Sequence, residues 1–267
     1  MSQLVTIPSP EEFDAAVRGM IETGYAVIRF PISELVPKIV EGMKRLIASP
    51  DASSWQLTVE RPGADGTPDD GLIRRSRAMK RKPDEASADK PVDNKWTYMY
   101  RPSLEHELRT RGFGDSVERH RQLLDDSQAY YLISDAYCDQ LMLAMDRRFP
   151  GGKFAERHRT AIKHNMDALR VLLYDLSSSE EELIGKDHTD KDFATFATNE
   201  NYPAFRRKGE RTPTPIKPGY AILFGGDKAE RDTNGVIKAL GHGALNQVPP
   251  EFIGVQRHSL IRFTHTP

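Results

Sequence analysis

Gly185-Lys186-Asp187-His188-Thr189-Asp190 places an imidazole and a carboxylate on either side of one residue. The stretch directly follows Glu181-Glu182-Leu183-Ile184, which is predicted to lead into it as part of a strand. Alternate side chains of an extended segment share a face, so we expect His188 and Asp190 to point the same way and Thr189 to point away. Two donors for one metal ion would then converge. A His-x-Asp triplet also arises by chance as a surface pair, so its meaning depends on what lies downstream.

Two further groups stand towards the C-terminus. His242 lies in Leu240-Gly241-His242-Gly243-Ala244, and Arg257-His258-Ser259 lies in a segment of strand character in which Arg257 and Ser259 share a face. Two histidines and one carboxylate leave three octahedral positions open, which suits non-haem Fe(II) that activates dioxygen. Zinc is disfavoured because the chain has no cysteine cluster and no His-Glu-x-x-His helix. An arginine fork beside a serine hydroxyl suits a dicarboxylate ligand.

Composition limits the classes of partner. The 267 residues carry 38 Lys and Arg against 39 Asp and Glu, a net charge of −1, so no overall field favours nucleic acid or an anionic membrane. The single cysteine, Cys138, allows no disulfide within the chain and suits a reducing compartment. The first residues of the sequence do not show a basic region followed by an apolar run, and no stretch approaches the roughly 20 apolar residues of a membrane span. We expect a cytoplasmic protein that binds neither nucleic acid nor membrane, and the oligomeric state stays open.

The N-terminal part is predicted to open with a helix over Glu11 to Thr23, a strand over Tyr25 to Phe30, and a second helix capped by Ser33 and ending near Ile47. Residues 49–92 are rich in Pro, Gly, Asp, Ser and Lys and include a basic run at 74–82. We expect a mobile polar insertion there, with a lid that recruits an anionic substrate as the alternative. Lys95 to Arg101 alternates aromatic and polar residues, as an amphipathic strand does.

The remainder predicts a long helix followed by short strands. Asp115 to Phe149 carries apolar residues at helical spacing, and strands are predicted at 168–174, 193–196, 220–224 and 254–263. We therefore predict a mainly β fold with flanking helices (α+β), with a jelly-roll core, N-terminal helices and one long backing helix. The expected organisation is one domain over 1–267: an N-terminal region at 1–115, the backing helix at 116–150 and the core with the metal ligands at 165–265.

In this order the residues resemble the Fe(II)/2-oxoglutarate-dependent dioxygenase superfamily, in its isopenicillin-N-synthase-like branch, whose core is a double-stranded β-helix. The resemblance rests on the helix, Gly-Tyr-Ala-Val-Ile-Arg-Phe strand and second helix at the N-terminus, and on these segments: Leu169 to Tyr174, Gly185 to Asp190, Tyr220 to Asp227, Thr233-Asn234-Gly235, His242 and Arg257-x-Ser259. Asp175 after Tyr174, Gly243-Ala244 after His242, and the spacing from His242 to Arg257 depart from the family pattern.

The resemblance implies a function and a site. It implies Fe(II) bound by His188, Asp190 and His242, 2-oxoglutarate bound by Arg257 and Ser259 with a contribution from Tyr174, and O2 as oxidant. The expected reaction is hydroxylation of an unactivated C–H bond of a small molecule, with release of succinate and CO2. A carboxylate at Asp190 disfavours halogenation, because related halogenases have a small residue there.

The substrate is expected to be amino-acid-like or anionic. The candidate contacts are Tyr98, Tyr100, Arg101 and Arg170, which lie in segments that border the site in this branch. Two alternatives stay open: an iron oxidase of the same fold that needs no 2-oxoglutarate, and a jelly-roll small-molecule binding protein without catalysis.

Overall fold

The computed structural model describes residues 7–30, 34–57, 70–75, 95–174, 183–198, 201, 203–245 and 255–267. The helices in these residues are α1 (Pro10–Thr23), α2 (Leu35–Ile47), α3 (Leu104–Thr110), α4 (Gly114–Arg119), α5 (Arg121–Arg148), α6 (Phe154–Lys163) and α7 (Asp227–Asp232), with a 3-10 turn at Pro50–Ser53. The strands are β1 (Tyr25–Arg29), β2 (Gln56–Leu57), β3 (Asp70–Arg75), β4 (Lys95–Tyr100), β5 (Ala168–Tyr174), β6 (Leu183–His188), β7 (Ala194–Thr198), β8 (Phe205–Arg207), β9 (Tyr220–Gly225), β10 (His242–Leu245) and β11 (His258–Thr264).

Two antiparallel sheets form the core. The larger has the order β1-β9-β7-β11-β5-β4-β3-β2, and the smaller has the order β6-β10-β8. Chain neighbours β5 and β6 lie in different sheets, as do β9 and β10, so the chain passes repeatedly from one sheet to the other. This arrangement is a jelly roll, and the predicted α+β fold with a jelly-roll core is confirmed.

The large sheet has one face towards the helices and one towards the small sheet. In β5, Leu169, Val171 and Leu173 join the main apolar core together with side chains of α1, α2 and α5. Leu172 and Tyr174 alternate with them and face the interior of the jelly roll. A smaller apolar cluster of Ala197, Phe205, Ile216, Ile222 and Phe224 fills one side of that interior. Each fully buried large apolar side chain contributes about 1.5–3 kcal/mol to folding.

The long backing helix is present with one interruption. The predicted helix from Asp115 to Phe149 is divided into α4 and α5 at His120, whose backbone leaves the helical region with φ −112 and ψ 22. The His120 ring lies 3.1 Å from Asp51, and Asp51 also accepts two hydrogen bonds from Arg119. These contacts stabilise the break. Among the described helices, none is both long and apolar enough to cross a membrane.

Parts of the predicted insertion over 49–92 form secondary structure in the residues that the structure describes, and its mobility stays a prediction. Residues 50–53 form the 3-10 turn, and β2 and β3 extend the large sheet beyond β4. Trp55 is completely buried and its indole N–H donates to the Ser116 hydroxyl at 2.7 Å. An apolar anchor of this size orders the segment in spite of its polar composition. The rest of the insertion, most of the basic run and the predicted cap Ser33 lie outside the described residues, and α2 begins at Leu35.

Candidate metal centre

His188, Asp190 and His242 meet at one end of the small sheet. β6 ends at His188 and β10 begins at His242, and these two residues are direct partners in the sheet. The Nε2 atom of His188 lies 3.5 Å from one carboxylate oxygen of Asp190, and Nε2 of His242 lies 3.9 Å from the other. The three ligand atoms all lie within 4.8 Å of one another. The structure therefore brings the three predicted ligands to one point.

Asp190 is held as a carboxylate. Burial would raise the pKa of this carboxyl, but hydrogen bonding to His188, electrostatic interaction with the His242 and His188 imidazoles, and the Thr195 hydroxyl together lower it well below its usual range. Thr195 Oγ1 donates to Asp190 Oδ2 at 2.6 Å. The backbone N–H of Asp227 donates to the Asp190 carbonyl at 2.7 Å, which fixes the main chain. The carboxylate is thus both charged and oriented before any metal arrives.

His242 is prepared as a neutral ligand. Its Nδ1–H donates to the Leu240 carbonyl at 3.0 Å, so the lone pair of Nε2 points towards the other two ligands. Burial lowers the pKa of this imidazole, which favours the neutral form that binds metals. The rings of Phe224 and Phe205 pack at 4.7 and 5.5 Å from it. His188, with 55% of its side chain exposed, lies on the solvent side of the centre.

The donor set fits Fe(II). Two imidazole nitrogens and one carboxylate oxygen form a three-ligand face, which leaves positions for other molecules. A second group that could hold a metal, Asp135, His158 and Asp167, lies at the helix-facing side of the large sheet. There the Arg262 guanidinium lies 2.9 Å from Asp135 and 3.0 Å from Asp167, so an arginine already supplies the positive charge.

The predicted 2-oxoglutarate residues lie together on the interior face of the large sheet. Arg257, Ser259 and Tyr174 are buried, and the Arg257 guanidinium carbon lies 4.5 Å from the centre of the Tyr174 ring. Thr195, which bonds Asp190, is the direct partner of Phe263 in β11, and Phe263 shares a face with Ser259 and Arg257. The predicted metal ligands and the predicted 2-oxoglutarate residues therefore face the same interior.

The side chains next to this pair point to the other side of the sheet, as strand parity predicts. Burial lowers the pKa of His258 to about 4, with Lys44 and Arg257 adding to the effect. Lys44 belongs to α2, so His258 faces the helices. Arg262 also faces the helices, among carboxylates. Of the two arginines in and next to β11, Arg257 therefore faces the interior and Arg262 faces the helices.

Two of the four candidate substrate contacts face away from the predicted metal centre. Tyr98 and Tyr100 belong to the main core on the helix side of β4, where Tyr100 packs edge-on against Tyr131 of α5 at 5.9 Å. Arg101 is buried in an ion pair with Asp70. Arg170 faces the interior, and its guanidinium lies 4.4 Å from the ring centre of Phe263. Its position on that face is compatible with the predicted substrate contact, which stays a prediction.

Several residues of the centre were not predicted. Thr195 orients the carboxylate, the Leu240 carbonyl sets the tautomer of His242, and Phe205 and Phe224 enclose the ring. Gly226 has no room for a side chain, because a Cβ there would lie 2.2 Å from the Asp192 carbonyl oxygen and 2.6 Å from that of Asp190. The sequence carries a weak signal for one of them, Gly226, in the Gly225-Gly226 pair at the end of β9.

Known structures of low sequence identity have the same fold. A Shewanella oneidensis protein described as an oxygenase matches with a TM-score of 0.69 at 20% identity, over 97% of this chain and 88% of that chain. A Caulobacter crescentus protein described as a 2OG-Fe(II) oxygenase family member matches with 0.67 at 18%, over 96% and 82%. A full-length Neurospora crassa protein in complex with alpha-KG matches with 0.66 at 17%, over 96% and 80%. No family model and no curated protein matches the chain. The chain thus has the fold of 2OG-Fe(II) oxygenases, and its branch stays a prediction.

Proposed function

We propose that this protein, which has the fold of 2OG-Fe(II) oxygenases, is an Fe(II)- and 2-oxoglutarate-dependent dioxygenase, an oxidoreductase that hydroxylates a C–H bond of a small molecule. The observation that carries the proposal is the shared interior: three metal-binding side chains within 4.8 Å of one another, and a buried arginine with a serine on the same face of the large sheet. Neither group alone defines the reaction. Together they match one redox metal and one dicarboxylate cosubstrate.

The residues of the chain have separate roles. His188, Asp190 and His242 would hold the iron, and Arg257 would bind the distal carboxylate of 2-oxoglutarate through its planar fork. Ser259 would donate its hydroxyl to the same carboxylate, and Tyr174 would pack against the guanidinium. When bound, Fe(II) with 2-oxoglutarate and O2 supplies oxidising power, yielding succinate, CO2 and a hydroxylated product. The apolar cluster around Phe205 and Phe224 excludes water from one side of the centre.

The carboxylate at Asp190 supports hydroxylation over halogenation. Its side chain occupies the third protein position at the metal and is fixed by Thr195 at 2.6 Å. A halide would need that position. The proposed outcome at the substrate carbon is therefore oxygen insertion.

The proposal is tested by metal binding and turnover. We expect the protein to bind one Fe(II) under anaerobic conditions and to develop a visible charge-transfer band when 2-oxoglutarate is added. His242→Ala should lose both, because it removes a ligand, whereas the exposed His106→Ala should keep both. Absence of metal binding by the wild-type protein would contradict the proposal and favour a binding protein without catalysis.

A second measurement separates the proposed enzyme from an iron oxidase of the same fold. Arg257 and Ser259 would serve a substrate carboxylate equally well, so the geometry of this pair does not distinguish the two. With a substrate found, O2 consumption should require 2-oxoglutarate and release succinate in equal amount. Consumption of O2 without 2-oxoglutarate identifies the oxidase instead.

We infer an anionic, amino-acid-like small molecule as the substrate. Arg170 supports this, because its guanidinium lies over the Phe263 ring on the interior face. Phe263 is the direct strand partner of Thr195, which donates a hydrogen bond to Asp190. The Neurospora crassa protein has also been solved with alpha-KG and thymine, so this fold accepts small molecules. A screen that detects succinate should find carboxylate-bearing substrates, and Arg170→Met should raise KM for them more than it lowers kcat. Turnover of neutral apolar compounds alone would contradict the anionic class.

The partners and location follow from charge and cysteine content. A net charge of −1 supports neither nucleic acid nor an anionic membrane as partner. The buried free thiol of Cys138 suits a reducing compartment, and we place the protein in the cytoplasm. Fractionation of native cells, with detection of the protein in the soluble fraction, tests this location.

A further inference from the structure

A buried charge network lies at the helix-facing side of the large sheet. At its centre is Arg262 of β11, which is fully buried and contacts Asp135 of α5 and Asp167 at 2.9 and 3.0 Å. The guanidinium also donates to the Phe263 carbonyl at 2.5 Å and lies 4.2 Å from the ring centre of Tyr131. A buried charge requires such partners, so these contacts hold β11, α5 and the segment before β5 in one arrangement.

His265 continues the network beyond the end of β11. Its backbone N–H donates to Asp167 at 2.8 Å, and its Nδ1 lies 3.3 Å from the same carboxylate oxygen. Its Nε2 lies 2.6 Å from Asp192. The imidazole is therefore placed between two carboxylates, one in the network and one outside it. Neither carboxylate belongs to the three predicted metal ligands.

Asp192 belongs to the segment that carries a metal ligand. The metal loop, defined here as residues 190–193, is joined to its surroundings by three backbone hydrogen bonds. Asp227 N–H donates to the Asp190 carbonyl at 2.7 Å, Gly226 N–H donates to the Phe193 carbonyl at 3.0 Å, and Phe193 N–H donates to the Thr264 carbonyl at 2.9 Å. The Asp192 side chain adds a charge-assisted contact to His265, which is stronger than a neutral hydrogen bond.

We propose that His265 and Asp192 are positioning residues of the metal centre, which fix the metal loop to the Arg262 network so that the Asp190 carboxylate is held where the two histidines need it. The inference rests on the proposed function, because it requires His188, Asp190 and His242 to bind a metal. It extends that function to two residues that are outside the ligand set and the cosubstrate pair. Loss of an outer partner that orients a metal ligand typically weakens metal binding by about 10–100-fold.

A merely structural role would look different, and the chain contains a matched control. The His120 ring lies 3.1 Å from Asp51 at the break between α4 and α5. Like His265 with Asp192, this pair is partly buried, and Asp51 also forms an ion pair with Arg119. This His–Asp pair has no contact with the metal loop in the described residues. Loss of it should cost stability without changing the metal centre.

The test compares His265→Gln and Asp192→Asn with His120→Gln. Co(II) is titrated anaerobically into each purified full-length protein by calorimetry, and thermal unfolding is recorded in parallel. We expect the first two variants to bind Co(II) about 10–100-fold more weakly, and His120→Gln to bind within about a factor of two of wild type in spite of a lowered Tm. If His265→Gln does not fold, Asp192→Asn still decides, because it leaves both contacts of His265 with Asp167 in place.

The outcomes are distinct. Wild-type affinity in His265→Gln and Asp192→Asn overturns the inference and leaves the proposed function intact, and so does an equal loss in His120→Gln. A wild-type protein that binds no Co(II) overturns the proposed function and the inference with it. Selective loss in the two loop variants supports the positioning role.

Discussion

Asp190 of the proposed metal centre is ionised and oriented by its immediate neighbours. The carboxylate is buried, yet its ionised form is favoured by two imidazoles and a threonine hydroxyl. Thr195 Oγ1 donates to the same oxygen that faces His242, so the hydroxyl sets the rotation of the carboxylate. Orientation in advance lowers the cost of binding, because less side-chain freedom is lost when the metal arrives.

Thr195→Val tests this at the residue scale. Valine keeps the shape and the strand preference of threonine but removes the donor, so we expect metal affinity to fall by about 10-fold. Thr198→Val is the matched control, since Thr198 lies on the helix side of β7 and bonds Tyr130 and the Leu260 carbonyl. It should lower stability by about 1 kcal/mol and leave metal affinity unchanged. Calorimetric titration with Co(II) and urea unfolding measure the two quantities, and equal affinities in both variants would contradict the assigned role.

At the scale of elements, the turn between β9 and α7 supports the metal loop. Gly226 donates its N–H to the Phe193 carbonyl, and its α-carbon packs against the carbonyls of Asp190 and Asp192. Both contacts depend on the absence of a side chain at Gly226. A Cβ there would meet backbone carbonyl oxygens, which cannot move aside as the end of a flexible side chain can. The close approach joins β9 to the segment after β6, which brings the two sheets together at the metal centre.

Gly226→Ala should displace the metal loop. The added Cβ would lie 2.2 Å from the Asp192 carbonyl oxygen, so the loop must move, and we expect a loss of metal affinity of at least about 10-fold with a destabilisation of about 1–3 kcal/mol. Gly114→Ala is the control, because Gly114 lies in helix α4 and a Cβ there would come no closer than 3.9 Å to any atom outside its chain neighbours and helix backbone, the nearest being an end atom of the flexible Arg109 side chain. It should be neutral or stabilising. Metal titration and thermal unfolding of both variants check this, and an unaltered Gly226→Ala would show that the loop accommodates the methyl group.

At the scale of the whole molecule, the Arg262 network joins helices, sheet and metal loop through buried charge. His265 lies between Asp167 and Asp192, with Arg262 and His158 beyond Asp167. Burial lowers the pKa of His265, but the carboxylates outweigh it and raise the pKa to about 9. The protonated imidazole therefore stabilises the folded state at neutral pH.

This raised pKa predicts a pH dependence of stability. The folded-state pKa of about 9 exceeds the ordinary value of 6.5, so the contribution is complete below pH 6.5 and is lost as pH rises through about 9. It amounts to no more than about 3 kcal/mol. Thermal unfolding between pH 6 and 10 should show a falling Tm for wild type and a smaller fall for His265→Gln. Parallel curves for the two proteins would assign the pH dependence to other groups.

The sequence by itself determined what depends on local periodicity. The two-residue repeat of a strand placed Arg257 and Ser259 on one face and His258 and Arg262 on the other, and the structure agrees. The helices α1 and α2 and the strands β1, β4, β5 and β9 were predicted from their own residues. The jelly roll followed from the order of short strands. The meeting of His188, Asp190 and His242 at one point was also predicted, from their order along the chain.

Tertiary structure decided which face each pattern presents and to what. Alternation in β4 shows that Tyr98 and Tyr100 share a face, but it is packing against α5 that turns that face away from the metal centre. The polar segment around Trp55 is ordered because one indole finds a buried site between distant elements. The link from His265 to Asp192 joins residues far apart in sequence. Periodicity is a local property, whereas burial, close approach and charge pairing arise only when separate segments meet.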